Sequence, residues 1–184
     1  LKDIDAATDG DVSVLDVETL TGVTADVKAV VTSVEIFLSG FEDITITDNA
    51  GVAILASDLS DIGNKTVGDV TVTKAIKITG NAADVTAALV TEDTKVIAAT
   101  ASVEISGEAS AAVVNDICNA TTGVVTATVT EAAASVLNAA LVDAAATDAL
   151  TLTVNAEALD VATQASDLNA LDGKTSEAVN ATAV

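Results

Sequence analysis

The sequence predicts an α/β repeat solenoid, with parallel strands stacked coil on coil and short helices on the opposite side. Three observations predict it. A short marker recurs along the chain: an apolar residue, then Thr, Ser or Asn, then usually a small or acidic residue. Upstream of most copies apolar residues alternate with period two, as in a half-buried strand. Downstream the period becomes that of an amphipathic helix. The marker occurs at Leu20-Thr21-Gly22, Ile46-Thr47-Asp48, Ile78-Thr79-Gly80, Ile105-Ser106-Gly107, Val129-Thr130-Glu131 and Val154-Asn155-Ala156, with middle residues 26, 32, 27, 24 and 25 positions apart. A period in that range is the mark of a stacked array. The alternatives are a β-solenoid or tandem β-sandwiches.

Residues 1–11 form a polar N-terminal segment, and 12–184 a single array of about six to seven degenerate units. The first segment carries Asp3, Asp5, Asp9 and Asp11 around Gly10. Their spacing does not fit an EF-hand loop and the closing Glu is missing. A polar turn or frayed terminus is therefore expected, and these four carboxylates stand as the metal candidates. Strand alternation follows at Ile44/Ile46, Val70/Val72, Ile76/Ile78, Val103/Ile105 and Leu150/Leu152/Val154, each with Thr, Ser, Lys or Glu on the other face. Helical spacing appears at Val27, Val30, Val31 and Val34, at Val85, Ala88 and Leu89, at Val113, Val114 and Ile117, and at Val136, Leu137, Ala140 and Leu141. The hydroxyl or amide of the marker is expected to cap the helix start. An acidic residue after it, such as Asp48 or Glu131, suits the positive end of the helix dipole.

A second internal match is more specific. Ala56-Ser57-Asp58-Leu59 leads to Lys65-Thr66, and Ala165-Ser166-Asp167-Leu168 leads to Lys174-Thr175 at the same spacing. One unit buries too few aliphatic side chains to offset the entropy of ordering about two dozen residues, so units need neighbours.

Composition narrows the function. Of 184 residues, 50% are hydrophobic but 1% are aromatic, so the apolar layer should be thin and regular. The net charge is -21, and all seven basic residues are Lys. Such a surface repels phosphate backbones and anionic bilayers, which excludes nucleic-acid partners and disfavours membrane surfaces. No stretch is long and apolar enough for membrane insertion. No signal peptide is visible and residue 1 is Leu, so a processed product or a fragment is expected.

Chemistry is scarce. There is no His for general-base work or zinc and no Arg to clamp an anion. No phosphate loop or nucleophile elbow occurs. The chain is read as not an enzyme, with no catalytic and no cofactor-binding residue. Cys118, alone among Val113, Val114 and Ile117, is expected to be a buried, inert thiol. Three Asn-x-Thr sequons, at Asn64, Asn119 and Asn180, are expected to be unused. Calcium in the Asp-rich turns is the candidate cofactor. The Thr rows could serve ice or carbohydrate if aligned on successive coils, but Lys77 and Glu104 interrupt them.

The Val125–Leu141 unit, Val-Thr-Ala-Thr-Val-Thr-Glu-Ala-Ala-Ala-Ser-Val-Leu-Asn-Ala-Ala-Leu, and the Ala165–Thr175 stretch, Ala-Ser-Asp-Leu-Asn-Ala-Leu-Asp-Gly-Lys-Thr, together carry a family resemblance. The chain resembles the degenerate Ala/Thr/Asp-rich strand–helix repeats of very large bacterial cell-surface proteins of marine and cyanobacterial type. The resemblance covers most of the chain after residue 11 and implies secretion, a cell-surface or extracellular location and a structural or adhesive role. It supplies no catalytic residue. The expected function is thus a structural segment: an adhesin stalk, surface-layer component or extracellular filament subunit. Its expected partners are other copies or flanking repeats, meeting through solenoid ends near residues 10–20 and 175–184. The alternatives are an extracellular binding module for calcium, glycan or ice, or a phage fibre segment.

Overall fold

The computed structural model describes residues 1–91, 95–155 and 161–181. Helices and strands follow in the order α1 (Lys2–Asp5), β1 (Val12–Ser13), β2 (Thr19–Gly22), α2 (Thr24–Thr32), β3 (Ile36–Phe37), β4 (Asp43–Ile46), β5 (Ala53–Leu55), α3 (Ala56–Gly63), β6 (Val70–Val72), β7 (Lys77–Asn81), α4 (Ala82–Leu89), β8 (Val96–Ile97), β9 (Ser102–Ala109), α5 (Ala111–Ala120), β10 (Val125–Val129), α6 (Ala134–Ala140), β11 (Ala149–Thr151), β12 (Thr153–Val154), α7 (Val161–Asp172) and β13 (Asn180–Ala181).

Every strand pairing among the described residues is parallel, which removes the antiparallel sandwich alternative. The seven helices among those residues likewise remove a β-solenoid without helices. One sheet has the order β2-β4-β6-β8, and a second β5-β7-β9-β10-β11. The pairs β1-β3 and β12-β13 stand beside them. In the first sheet Leu20 faces Ile44, Ile44 faces Val70, and Val70 faces Val96. In the second, Ile54, Ile78, Val103 and Val125 are successive partners, and Ala127 faces Leu150. Partners in the two sheets are thus 20–26 residues apart, and like falls beside like on the inner face. The helices pack against one another in chain order, α1 on α2 through to α6 on α7.

More than one strand separates these consecutive helices: two at β6/β7 and β8/β9, and three, β3, β4 and β5, between α2 and α3. This corrects the reading of one strand per unit, and it explains the irregular marker. Ile46 lies in the first sheet, where it pairs with Gly22 and Val72, whereas Ile78 lies in the second and pairs with Ile54. The 32-residue step between Thr47 and Thr79 is the change of sheet, so the six markers are not one structural position. Ile105-Ser106-Gly107 falls in a bulge of β9, where Glu104 and Glu108 are opposite Thr126 and Thr128. Gly107 takes φ 77 there, a conformation that glycine reaches without a Cβ clash. Ala156 of the last marker and the end beyond residue 181 lie outside the described residues.

The core is one cluster of aliphatic side chains from Val27 to Leu171. Ile44, Ile46, Ile76 and Ile78 from the strand side meet Leu59, Ile62, Ile117 and Leu137 from the helix row, all essentially inaccessible to solvent. No ring contributes, because Phe37 and Phe41 are both exposed.

Where a helix returns to a strand, a buried hydroxyl closes the turn. The Thr66 hydroxyl donates to the Glu42 carbonyl at 2.6 Å and accepts from the Gly68 N–H at 3.0 Å. Thr121 does the same with the Ala101 carbonyl at 2.6 Å and the Gly123 N–H at 3.0 Å. Thr175 contacts the Asp148 and Leu150 carbonyls and accepts from the N–H groups of Leu150 and Glu177. Asp148 holds an equivalent buried place through its carboxylate, which accepts from the N–H groups of Val125 and Ala145. These side chains satisfy backbone groups that the turn would otherwise bury unpaired. The chain therefore has a polar ladder at its turns, made of Thr and Asp where the Asn ladder of a leucine-rich repeat is missing.

The ladder explains the most specific internal match. Both Lys-Thr pairs follow a helix end, α3 or α7, and both Thr are ladder residues. Asp58 and Asp167, in the matching tetrapeptides, each accept from the preceding helix, from Lys28 at 2.6 Å and from the Asn138 side-chain amide at 3.3 Å. The sequons at Asn64 and Asn119 arise from the same arrangement, since their Thr are Thr66 and Thr121, each buried in a turn.

Candidate interaction surface

Residues 1–11 are more ordered than a polar turn. Residues 2–5 form α1, which packs beside α2. Lys2 pairs with Asp26, and the Ser33 hydroxyl donates to Asp5 at 3.4 Å. The backbone that makes α1 carries Asp3 and Asp5 there, while Asp9 and Asp11 follow in an exposed bend. The four do not converge: among the described residues no group of three or more His, Cys, Asp or Glu side chains could hold a metal ion. Asp5 is occupied with Ser33, and the other three carboxylates face solvent.

Among the described residues the marker hydroxyls do not cap the helices that follow them. The side-chain caps are Asn81 on α4 and Ser110 on α5, while Val23, Leu55 and Ala133 precede α2, α3 and α6 without one. Asp48 does reach a helix N-terminus, but that of α2 in the neighbouring segment. Its Oδ2 accepts from the Thr24 N–H at 2.6 Å and the Thr24 hydroxyl at 2.7 Å. A carboxylate at that position opposes the positive end of the helix dipole. Other polar links join neighbouring segments. Lys28 bridges α2 to Asp58 and Asp61 of α3, Lys77 pairs with Glu104 across two strands, and Asn115 and Asp143 exchange two hydrogen bonds.

The Thr rows resolve into two surfaces. Lys77 and Glu104 sit on the second sheet. On the first sheet Thr21, Thr45 and Thr71 are direct partners, and the row ends at Ile97. Cys118 is buried, and its thiol lies 3.6 Å from the Asp148 carboxylate. Burial, with the negative charge of Asp148 beside it, pushes the Cys118 thiol up to about 12. At neutral pH almost no thiolate is present for nucleophilic attack.

The feature that sequence reasoning missed is a rigid aromatic corner. Glu42 is buried, yet one of its carboxylate oxygens accepts from the Ser39 N–H at 2.6 Å, the Ser39 hydroxyl at 2.7 Å and the Gly40 N–H at 3.2 Å. Burial opposes ionisation of Glu42, but these hydrogen bonds outweigh it and hold the carboxyl below its usual range. Gly40 takes φ 79, and the turn presents Phe41 to solvent with 75% of its surface exposed. Phe37 and Val34 are exposed close by in sequence, and Ser13 of β1 pairs directly with Phe37, whose carbonyl accepts from the Val14 N–H next to the exposed Leu15. The available signal was that both aromatic residues of the chain stand four positions apart.

Among the described residues no helix is long and apolar enough to cross a membrane. No protein-family model, curated protein or solved structure matches the chain.

Proposed function

We propose that this chain is a structural repeat segment, a solenoid of strand–helix coils belonging to a secreted surface protein such as an adhesin stalk, surface layer or extracellular filament. The observation that carries this reading is the pairing of strands with partners 20–27 residues away, always parallel among the described residues, around one continuous core. Such stacking makes length and ends the functional properties of the molecule. The acidic surface supports it, since a net charge of -21 suits exposure to salty water. Negative-stain imaging of the purified chain tests it. Rods or end-joined fibres are expected; compact spheres refute a stacked rod.

A second reading rests on the aligned Thr21, Thr45 and Thr71. Neighbouring hydroxyls about 4.8 Å apart form a regular surface for ordered water or a carbohydrate. Thermal hysteresis and calorimetry with a glycan panel and calcium distinguish it. Saturable binding to the monomer favours a binding module over a structural segment.

A further inference from the structure

We infer that the corner at residues 39–42 is an acid-labile joint between neighbouring segments: when Glu42 takes up a proton, the turn and its contact with the following segment open, while the sheets on either side stay folded. The joint depends on the geometry of this corner and not on the role of the chain as a whole.

One oxygen of Glu42 gathers three donors, the Ser39 N–H at 2.6 Å, the Ser39 hydroxyl at 2.7 Å and the Gly40 N–H at 3.2 Å. The Ser39 hydroxyl also accepts from the Phe41 N–H at 3.2 Å, so it gives its own hydrogen to Glu42. A carboxylate suits such a set, because it only accepts. A neutral carboxyl brings a hydrogen of its own and is the weaker acceptor. Glu42 is 2% exposed, and a poorly paired polar group is costly in such a place. Protonation therefore loosens residues 39–41.

Gly40 carries the effect to the next segment. Its carbonyl accepts from the Val67 N–H at 2.8 Å and from the Thr66 hydroxyl at 3.3 Å. Gly40 holds φ 79, and its N–H is one of the groups that the carboxylate fixes. Once released, a glycine has a wide range of backbone conformations to enter. Little apolar surface keeps the corner shut, since Phe41 and Phe37 are both exposed. Regions with few buried apolar contacts open at low cost. Two contacts limit the opening. The Thr66 hydroxyl donates to the Glu42 carbonyl at 2.6 Å without using the carboxylate, and Ile44 is locked in the first sheet between Leu20 and Val70.

The titratable groups that border the corner come from three segments. The Glu18 carbonyl accepts from the Asp43 N–H at 2.9 Å, and the Asp43 carboxylate accepts from the Asp69 N–H at 3.0 Å. Lys65 lies beside Gly40 through its carbonyl. Three carboxylates and one ammonium supply no net positive field, so the charge on Glu42 depends on its hydrogen bonds. Burial opposes that charge and the hydrogen bonds outweigh it, which leaves the folded carboxyl below its usual range. The joint is therefore closed above the ordinary value near 4.5 and opens as pH falls through the lower, folded value.

Nuclear magnetic resonance of the full chain tests this. At pH 7, Glu42→Gln places a neutral group in the corner and leaves the other carboxylates charged. Amide hydrogen exchange at Ser39, Gly40 and Val67 should quicken roughly tenfold or more, while exchange at Ile44, Val70 and Val103 should match the parent. Val67 decides the matter, because its N–H does not touch the carboxylate. Glu104→Gln, in the exposed pair with Lys77, should leave all six amides unchanged. In the parent, the Ser39 and Gly40 amide shifts should move together on acidification, with one midpoint below 4.5. Unchanged exchange at Val67 in the Gln variant overturns the joint. So does equal acceleration at all six amides, or a variant that does not fold, because Glu42 would then support the whole fold. A midpoint at or above 4.5 overturns it independently of any variant.

Discussion

Replacing Gly123 with Ala tests the turn ladder at its tightest point. A Cβ at residue 123 would lie 2.1 Å from the Ala101 carbonyl oxygen, 2.5 Å from its carbon and 2.8 Å from the Ser102 nitrogen. Ordinary carbon–oxygen contact is more than about 3 Å, and the obstructing atoms are backbone, so one strand must move away from the next. That movement also strains the Thr121 bond to the Ala101 carbonyl, the Gly123 N–H bond to Thr121, and the Thr122 N–H bond to the Ala99 carbonyl at 2.8 Å. Overpacking of this kind costs about 1–3 kcal/mol, and the three hydrogen bonds, weakened rather than lost, add about 1–2 kcal/mol together. We expect Gly123→Ala to destabilise by about 3–4 kcal/mol, lowering the melting temperature by roughly 10 °C for a chain of this size. Circular dichroism of thermal and urea unfolding at fixed salt measures it. Gly107→Ala is the comparison, because Gly107 has φ 77 but no atom within 4 Å of the added methyl group. It should cost about 1–2 kcal/mol from backbone strain alone. Equal effects of the two substitutions, or a Gly123→Ala protein as stable as the parent, would show that close stacking at the turn is not what constrains this residue.

Four further outcomes follow from the same geometry. Thr175→Val removes a hydroxyl that serves two carbonyls and two N–H groups, and should cost about 2–3 kcal/mol in urea unfolding. Glu42 has a lowered pKa when folded, so its contribution is present above the unfolded value near 4.5 and is lost as pH falls through the folded value. The stability difference between the parent and Glu42→Gln, followed from pH 7 down into the acid range, should therefore shrink below about pH 4.5; a constant difference contradicts the assignment. Cys118 has a raised pKa, so burial of the neutral thiol stabilises fully below pH 9 and is lost as pH rises towards 12. A thiol reagent at pH 8 should label the native chain far more slowly than the chain in urea. Lys28→Ala breaks pairs with Asp58 and Asp61 that are partly open to water, and should lower the melting temperature only slightly, and by less at high salt, as thermal unfolding at two salt concentrations would show.

Much of this architecture is written locally. Alternation at Ile44/Ile46 and Val103/Ile105 and helical spacing around Val27 and Ile117 each name an element, because strand and helix expose different periods to one apolar layer. The helix α3 was harder to find: Ala56-Ser57-Asp58-Leu59 was visible as a match to Ala165–Leu168, but nothing in its composition separates a short helix from a turn. The two-residue strands β1, β3 and β8 have no period of their own, and their neighbours define them.

The sequence by itself determined the class of structure, the thin aliphatic core, the acidity of the surface and the burial of Cys118. These depend on side-chain size, charge and spacing, which are properties of the chain before it folds. Only the tertiary structure decided that two sheets share the markers, that Asp48 caps the helix of a neighbouring segment, that Thr66, Thr121 and Thr175 form a ladder, and that Glu42 fixes an exposed Phe41. Each is a contact between residues about two dozen positions apart or a turn set by a buried charge. Such contacts come from the register of one strand against the next, which no local pattern specifies.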